Sequence, residues 1–194
     1  NHKKKRFKEA EYHYKEILKR KPDHFQSNFL LGTLSAQTKK FNIAKELFEK
    51  TIQIDPNYSQ AYYNLMDISE RTHSLDLLQE YIKKATLLFG NNPIIDIFKT
   101  LILLRKNQYN EAKTLLESID IDKYHSISME YKIQYYELLS KVYDQLNETK
   151  KSFKYFLKIN EYDSKNVINQ NYNKDVWFNV LGANKEYFQL KNIS

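Results

Sequence analysis

Residues 25–58 read FQSNFLLGTLSAQTKKFNIAKELFEKTIQIDPNY, and the spacing of their apolar residues is informative. Its second half places Phe41, Ala44, Phe48 and Thr51 three or four residues apart. Such intervals put side chains on one face of an α-helix. The pattern therefore predicts a helix over Phe41–Ile54 with one apolar face, and it raises the question of what covers that face.

The first half of the stretch predicts a helix over 24–38, joined to the second by the turn Lys39-Lys40. Its facing side chains are Asn28, Leu31, Gly32 and Ser35. Gly32 has no side chain and Ala44 has a small one, so the two helices can approach each other closely. Asp55-Pro56 ends the second helix, because a residue that precedes proline is driven out of the helical conformation.

The same residue types return every 34 residues along the chain. Several columns that repeat with one period predict a stacked array of identical units instead of one globular core. The columns are Ala10, Ala44, Leu78 and Ala112; Phe7, Phe41, Leu75 and Tyr109; Tyr14, Phe48, Ile82 and Leu116; and Pro22, Pro56 and Gly90.

These residues resemble the tetratricopeptide repeat, through Leu31-Gly32, Ala44, Phe48 and Pro56. The units on either side resemble it too, through Phe7, Ala10, Tyr14 and Pro22 and through Tyr62, Leu65 and Ala85. The resemblance implies an all-α, right-handed superhelical solenoid of antiparallel helix pairs, with about five repeats and a C-terminal capping helix. It also implies a non-catalytic scaffold that binds a protein or peptide on the concave face of the array.

Two units depart from the pattern. The fourth, residues 93–120, carries Lys99 and Thr100 where Leu-Gly is expected, and its first helix is apolar on more than one side. The fifth is displaced, because Ser152 follows Ala112 by 40 residues and not by 34. We therefore expect a longer loop over residues 121–126, followed by helices over 129–146 and 150–161.

The first helix of each pair should line the inner wall, and the second should form the outer wall. The helical register then predicts a partner-binding groove from inner-wall side chains. These are Phe29, Thr33, Tyr63, Asn64, Asp67, Glu70, Ile97, Leu101, Glu137 and Lys141. For Phe29 and Tyr63 simple packing is an equal alternative. Asp67 and Glu70 would repel a carboxylate, so recognition of a carboxyl-terminal tail is not expected.

The composition argues against several kinds of ligand. The net charge is +7, and residues 1–22 contribute +6 of it. Because only four residues are arginine, the preferred partner of phosphate, we expect a solvated lysine face there and do not expect nucleic-acid binding. The chain has no cysteine, and its five histidines lack metal-ligand spacing, so no metal or cofactor is expected. The longest apolar run, residues 101–104, is too short to cross a membrane, and a cytoplasmic location is expected.

The pattern changes after the array, which we assign to residues 1–163. Residues 164–174 are polar and rich in asparagine, and residues 175–190 contain Trp177, Leu181 and Phe188, which suit a helix that caps the stack. Alternatively, residues 153–160 with Tyr172 and Phe178 resemble the segment that precedes the catalytic domain in bacterial tetratricopeptide-sulfotransferase proteins. That resemblance implies an accessory region of a transferase whose enzyme domain lies outside this chain. The first unit lacks an opening helix, so we expect a segment of a longer protein.

Overall fold

The computed structural model describes residues 2–165, with side chains over residues 6–162. This part of the chain forms nine α-helices and one short 3₁₀ helix, which confirms the all-α prediction. The helices are α1 (His2–Arg20), α2 (Phe25–Gln37), α3 (Phe41–Ile54), α4 (Ser59–Arg71), α5 (Leu75–Phe89), α6 (Pro93–Arg105), α7 (Tyr109–Glu117), α8 (Met129–Gln145) and α9 (Thr149–Lys165), with the 3₁₀ helix at Ile121–Lys123. The predicted capping helix over residues 175–190 lies outside the described residues.

The chain divides into two compact units, Asn1–Phe98 and Lys99–Ser194. In the first unit each helix packs against the next from α1 to α5, and α2 also contacts α4. In the second unit α7 packs against α8 and α8 against α9. Adjacent helix pairs therefore stack on each other, as the 34-residue period predicts.

The repeated columns form the packed side of the second helix in each pair. Ala44, Leu78 and Ala112 have no exposed surface, and Phe48, Ile82 and Leu116, which follow four residues later, are also buried. A residue on the packed face of a second helix thus has its counterpart, 34 residues later, on the packed face of the second helix in the next pair. This alignment explains why small and large apolar residues recur together.

Gly32 allows α2 to pack closely against α3. A Cβ atom at Gly32 would lie 2.8 Å from Cε1 and 3.0 Å from Cδ1 of Phe48, and the Phe48 ring has no exposed surface into which it could turn. In the next repeat Met66 and Ile82 occupy these two columns, and both are buried. The small-against-large arrangement of the first pair is therefore replaced in the second by two bulky apolar side chains.

The turn within each pair uses one residue in the left-handed region. These residues are Lys39, His73, Asn107 and Asn147, with φ between 55° and 60°. After each, a backbone N–H donates to a carbonyl five residues back, as Lys40 N does to Ser35 O at 2.8 Å and Ser74 N to Ser69 O at 2.8 Å. This geometry closes the end of the first helix as a Schellman motif. A residue with a Cβ atom is sterically strained in this conformation.

The six inserted residues before α8 are anchored in the second unit. We expected a loop over residues 121–126, and the chain instead begins the insertion with the 3₁₀ helix Ile121–Lys123. Asp122 accepts hydrogen bonds from Tyr136 Oη at 3.0 Å, Lys158 Nζ at 2.7 Å and Tyr162 Oη at 3.0 Å. One carboxylate therefore joins the insertion to α8 and to α9.

Burial alone would raise the pKa of the Asp122 carboxyl. The hydrogen bonds from Lys158, Tyr136 and Tyr162 outweigh burial and lower that pKa below its usual value. Tyr136 in turn stacks against Tyr162 and Tyr155 with ring centroids 5.7 Å and 6.1 Å apart. Tyr143 stacks against Tyr155 at 5.6 Å, so four tyrosines fill the contact between α8 and α9.

Candidate peptide-binding surface

The first helices of the first unit expose two stripes with the same spacing. On α2 the stripe is Gln26, Leu30, Thr33 and Gln37; on α4 it is Gln60, Asn64, Asp67 and Arg71. Each residue of the second stripe follows its counterpart in the first by 34 positions. All eight are exposed or half-exposed, and α2 and α4 are in contact, so the two stripes form one surface that we call the paired stripes.

The paired stripes are polar but carry no net charge. The helix α2 contains no charged residue. On α4, Arg71 Nε lies 2.8 Å from Asp67 Oδ2, so the two charges of the stripe offset each other. Arg71 therefore offsets the charge of Asp67, while the carboxylate of Glu70 lies on the same helix, so weak recognition of a carboxyl-terminal tail stays a prediction.

An aromatic cluster borders the paired stripes. Phe29 lies edge-on to Tyr58, with ring centroids 5.0 Å apart, and it contacts the ring of Phe48 at 5.7 Å. Phe25 also meets Tyr58 edge-on at 4.9 Å. Phe25, Phe29 and Tyr58 remain half-exposed, which leaves an apolar edge beside Leu30. Leu30 keeps 41% of its surface exposed.

Two of the predicted groove residues are instead part of the packing. Tyr63 is 5% exposed and Ile97 is fully buried. Burial also raises the pKa of the Tyr63 hydroxyl. Neither side chain offers a surface to a partner, because both turn toward neighbouring side chains. Thr33 is half-exposed, but its hydroxyl donates to Phe29 O at 3.0 Å within α2.

The remaining predicted residues divide between the two units. In the first unit Asn64, Asp67 and Glu70 lie half-exposed on α4. In the second unit Leu101 on α6 and Glu137 on α8 are half-exposed, and Lys141 on α8 is exposed. Each unit thus presents polar side chains on a first helix, and over residues 6–162 the two complete stripes lie in the first unit.

Two segments of the chain match a known family. Residues 25–58 and residues 133–166 match the tetratricopeptide repeat, and the second match begins six residues later than three unbroken repeats would place it. The chain contains tetratricopeptide repeats. The displaced second match agrees with the insertion at Ile121–Lys123, which lies between the two matched segments.

Solved structures with a similar fold are tetratricopeptide-repeat proteins. The crystal structure of MamA aligns with a TM-score of 0.62 and 21% identity, over 85% of this chain and 93% of MamA. YrrB, a tetratricopeptide-repeat protein with an unusual peptide-binding site, aligns with a TM-score of 0.53 and 12% identity, over 78% of this chain and 75% of YrrB. PilF of Pseudomonas aeruginosa aligns with a TM-score of 0.57 and 21% identity, over 81% of this chain and 63% of PilF. No curated protein matches the sequence.

The described residues show neither a metal-binding group nor a membrane-spanning helix. Over residues 2–165, no three His, Asp or Glu side chains lie together in a way that would hold a metal ion. Among the same residues, no helix has both the length and the apolar character needed to cross a membrane. Tyr172 and Phe178, on which the sulfotransferase resemblance depends, lie outside this range.

Two features of the surface were not predicted from the sequence. The Asp67–Arg71 ion pair could have been, because the two residues have the i, i+4 spacing of a helical ion pair. The Phe25–Phe29–Tyr58 cluster joins α2 to the residue just before α4, and the spacing within one helix does not reveal a contact between two elements.

Proposed function

We propose that this chain is a non-catalytic scaffold that binds a protein or peptide partner, and that the paired stripes form the contact surface. The observation that carries the proposal is the alignment of two exposed stripes, together without net charge, on adjacent first helices. A surface of this kind suits an extended segment with few charges, which presents backbone amides and an apolar side chain.

The polar side chains of the paired stripes supply matching hydrogen-bond groups. Gln26, Gln60 and Asn64 each carry both a donor and an acceptor, as a peptide backbone does. They belong to helices that the repeat packing already fixes, so the partner binds without a folding cost on this side. Specificity then depends on which side chain of the partner reaches the apolar edge.

The apolar edge supplies the hydrophobic part of the contact. Fully burying a leucine contributes about 1.5–3 kcal/mol. Since 41% of the Leu30 surface is still exposed, covering it contributes about 1 kcal/mol. Phe29 and Tyr58 extend the same edge, so an apolar side chain of the partner can contact three residues at once.

Peptides selected from a random library on the folded chain test this proposal. Their affinity is measured by fluorescence anisotropy for the unchanged chain, for Leu30→Asp and Asn64→Ala, and for the matched outer-wall variant Glu46→Ala. We expect Leu30→Asp to weaken binding about tenfold, which corresponds to about 1.4 kcal/mol, and Glu46→Ala to leave it unchanged. Equal affinities for all four proteins would contradict the assignment of the surface.

Salt dependence separates this proposal from nucleic-acid binding. A neutral contact surface predicts an affinity that changes little between low and high ionic strength. A ligand held by the basic residues of α1 would instead lose affinity steeply with added salt, and replacing Lys8 and Lys15 with alanine would weaken it further.

A further inference from the structure

One column of the repeat holds the residue that precedes a first helix. Its members are His24, Tyr58 and Asn92, which come directly before α2, α4 and α6. The His24 Nδ1 accepts a hydrogen bond from Ser27 N at 3.2 Å, and the Asn92 Oδ1 accepts one from Ile94 N at 2.9 Å. Both side chains thus satisfy a backbone N–H group at the start of their helix, where such groups have no partner within the helix.

Tyr58 differs from its two counterparts. Its side chain makes no capping hydrogen bond to α4, and tyrosine is not among the residues that favour helix formation at this position. Its ring instead packs edge-on against Phe25 and Phe29, at interplanar angles of 85° and 86°. A phenylalanine would make the same two ring contacts, so packing accounts for the ring of Tyr58 but not for its hydroxyl.

The folded chain does not use the Tyr58 hydroxyl. Over residues 6–162 this hydroxyl forms no hydrogen bond, and the residue is half-exposed. Tyr81 Oη, by contrast, donates to Glu49 Oε1 at 2.6 Å, and Tyr135 Oη donates to Leu116 O at 3.0 Å. Because two aromatic contacts already hold the Tyr58 ring, its hydroxyl loses little conformational freedom when it binds a further group.

The hydroxyl lies beside the surface proposed for binding. Tyr58 borders the paired stripes together with Phe29 and Leu30, and the stripe of α4 begins two residues later at Gln60. An apolar side chain that covers this apolar edge brings the main chain of the partner next to Tyr58. A phenolic O–H donates a hydrogen bond, and a main-chain carbonyl accepts one. Such a hydrogen bond strengthens when the apolar side chain excludes water from it.

We propose that Tyr58 is a specificity-determining residue of the paired stripes, and that its hydroxyl donates to a main-chain carbonyl beside the apolar anchor residue of the partner. This inference rests on the function proposed for the paired stripes. It also defines the class of partner. The carbonyls within an α-helix already accept from the helix's own N–H groups, whereas those of an extended segment are open. The hydroxyl therefore selects an extended segment over a helical one.

Removal of single hydroxyls tests the role of Tyr58. The affinity of a peptide selected on the unchanged chain is measured by fluorescence anisotropy for Tyr58→Phe and for the control Tyr12→Phe. Tyr12 is 61% exposed on α1 and meets His13 edge-on at 5.5 Å, so the control also removes an accessible hydroxyl from a ring with an aromatic neighbour. We expect Tyr58→Phe to weaken binding about fivefold and Tyr12→Phe to leave it unchanged. Urea denaturation should give Tyr58→Phe the stability of the unchanged chain, and a loss of stability that matches the loss of affinity would overturn the proposal.

A change in the peptide tests the acceptor. In a matched peptide the carbonyl beside the apolar anchor is replaced by a thiocarbonyl, which accepts hydrogen bonds more weakly. This peptide should bind the unchanged chain about fivefold more weakly than the original, and the two should bind Tyr58→Phe equally. The same loss in both proteins would overturn the proposal.

Leu30→Asp separates the two ways in which the experiment can fail. If Leu30→Asp weakens binding and Tyr58→Phe does not, the role of the hydroxyl is wrong and the paired stripes remain the contact surface. If neither change weakens binding, both the contact surface and the role of Tyr58 are wrong.

Discussion

Replacing Gly32 with alanine tests the close contact between α2 and α3. The added Cβ atom would lie 2.8 Å, 3.0 Å and 3.2 Å from three ring carbons of Phe48. Carbon atoms normally approach to about 3.5–4.0 Å, so the nearest contact is about 0.7 Å too short. Since the Phe48 ring has no exposed surface, it cannot move aside without disturbing α3.

Two opposing effects determine how much Gly32→Ala changes the free energy of unfolding. Overpacking of this kind costs about 1–3 kcal/mol. Alanine is favoured over glycine inside a helix by about 0.8–1.0 kcal/mol, which offsets part of that cost. We therefore expect Gly32→Ala to lower the free energy of unfolding by about 1 kcal/mol.

Phe48→Leu supplies the matched background. Removing the ring costs about 1–2 kcal/mol by itself, because it leaves unfilled space. In that background the new Cβ has room, so Gly32→Ala should stabilise the protein by up to about 1 kcal/mol. The change of sign corresponds to a coupling energy of about 1–3 kcal/mol between the two positions.

Urea denaturation followed by circular dichroism measures the four free energies of unfolding, and the urea dependence must agree among the four proteins. Hydrogen exchange of α2 and α3 assigns the change to this pair if unfolding proceeds in stages. If Gly32→Ala stabilises both backgrounds equally, the two helices are farther apart than described, and our account of the repeat packing fails.

Three further predictions concern packing, turns and the insertion. Ala44→Leu should lower the free energy of unfolding by about 1–3 kcal/mol, whereas Glu46→Gln on the exposed side of α3 should change it by less than about 0.5 kcal/mol in the same urea titration; equal effects would mean that the packed face is misassigned. Lys39→Gly should relieve the left-handed conformation and raise the free energy of unfolding by about 0.5–1 kcal/mol, seen as a higher thermal midpoint. Glu46→Gly should lower the free energy of unfolding by about 1 kcal/mol, and destabilisation by both changes would refute the strain at Lys39. Asp122→Asn should destabilise the second unit by about 1–2 kcal/mol at pH 7, because charged hydrogen bonds from Tyr136 and Lys158 are lost. The pKa of Asp122 is lower in the folded chain than in the unfolded one. The stability difference between the unchanged chain and Asp122→Asn should therefore be complete above the unfolded pKa of about 3.9 and disappear as the pH falls through the folded pKa. A stability difference that persists at pH 2 would contradict this prediction.

The 34-residue period predicted most of the fold from sequence. It placed α3 at Phe41–Ile54 and identified Gly32, Ala44 and Phe48 as the close contact. These positions are decided by local spacing and by the residue's size, both of which a sequence displays. The tetratricopeptide pattern also located the displaced repeat, since the column of Ala112 resumes 40 residues later at Ser152.

The features that were not predicted depend on contacts that do not recur in each repeat. The insertion was predicted as a loop because it adds six residues to the 34-residue period, but Asp122 meets Lys158 36 residues away and Tyr162 40 residues away. Tyr63 was placed in the groove by register, and its side chain is buried by neighbours that a helical register does not reveal. The left-handed turn at Lys39 gave no glycine signal, because the surrounding hydrogen bonds hold a lysine there.

The reactivity of introduced cysteines tests both the repeat register and the peptide-binding surface, because the chain has no cysteine of its own. Single cysteines are introduced at Leu30 and Asn64 on the paired stripes, at Glu46 on the outer wall and at Ala112 in a packed column. Thiol-labelling rates are then measured with and without a selected peptide. We predict fast labelling at Leu30, Asn64 and Glu46, slow labelling at Ala112, and protection by the peptide at Leu30 and Asn64 alone. Fast labelling at Ala112, or protection at Glu46 in place of Leu30, would contradict both the repeat register and the surface assigned to it.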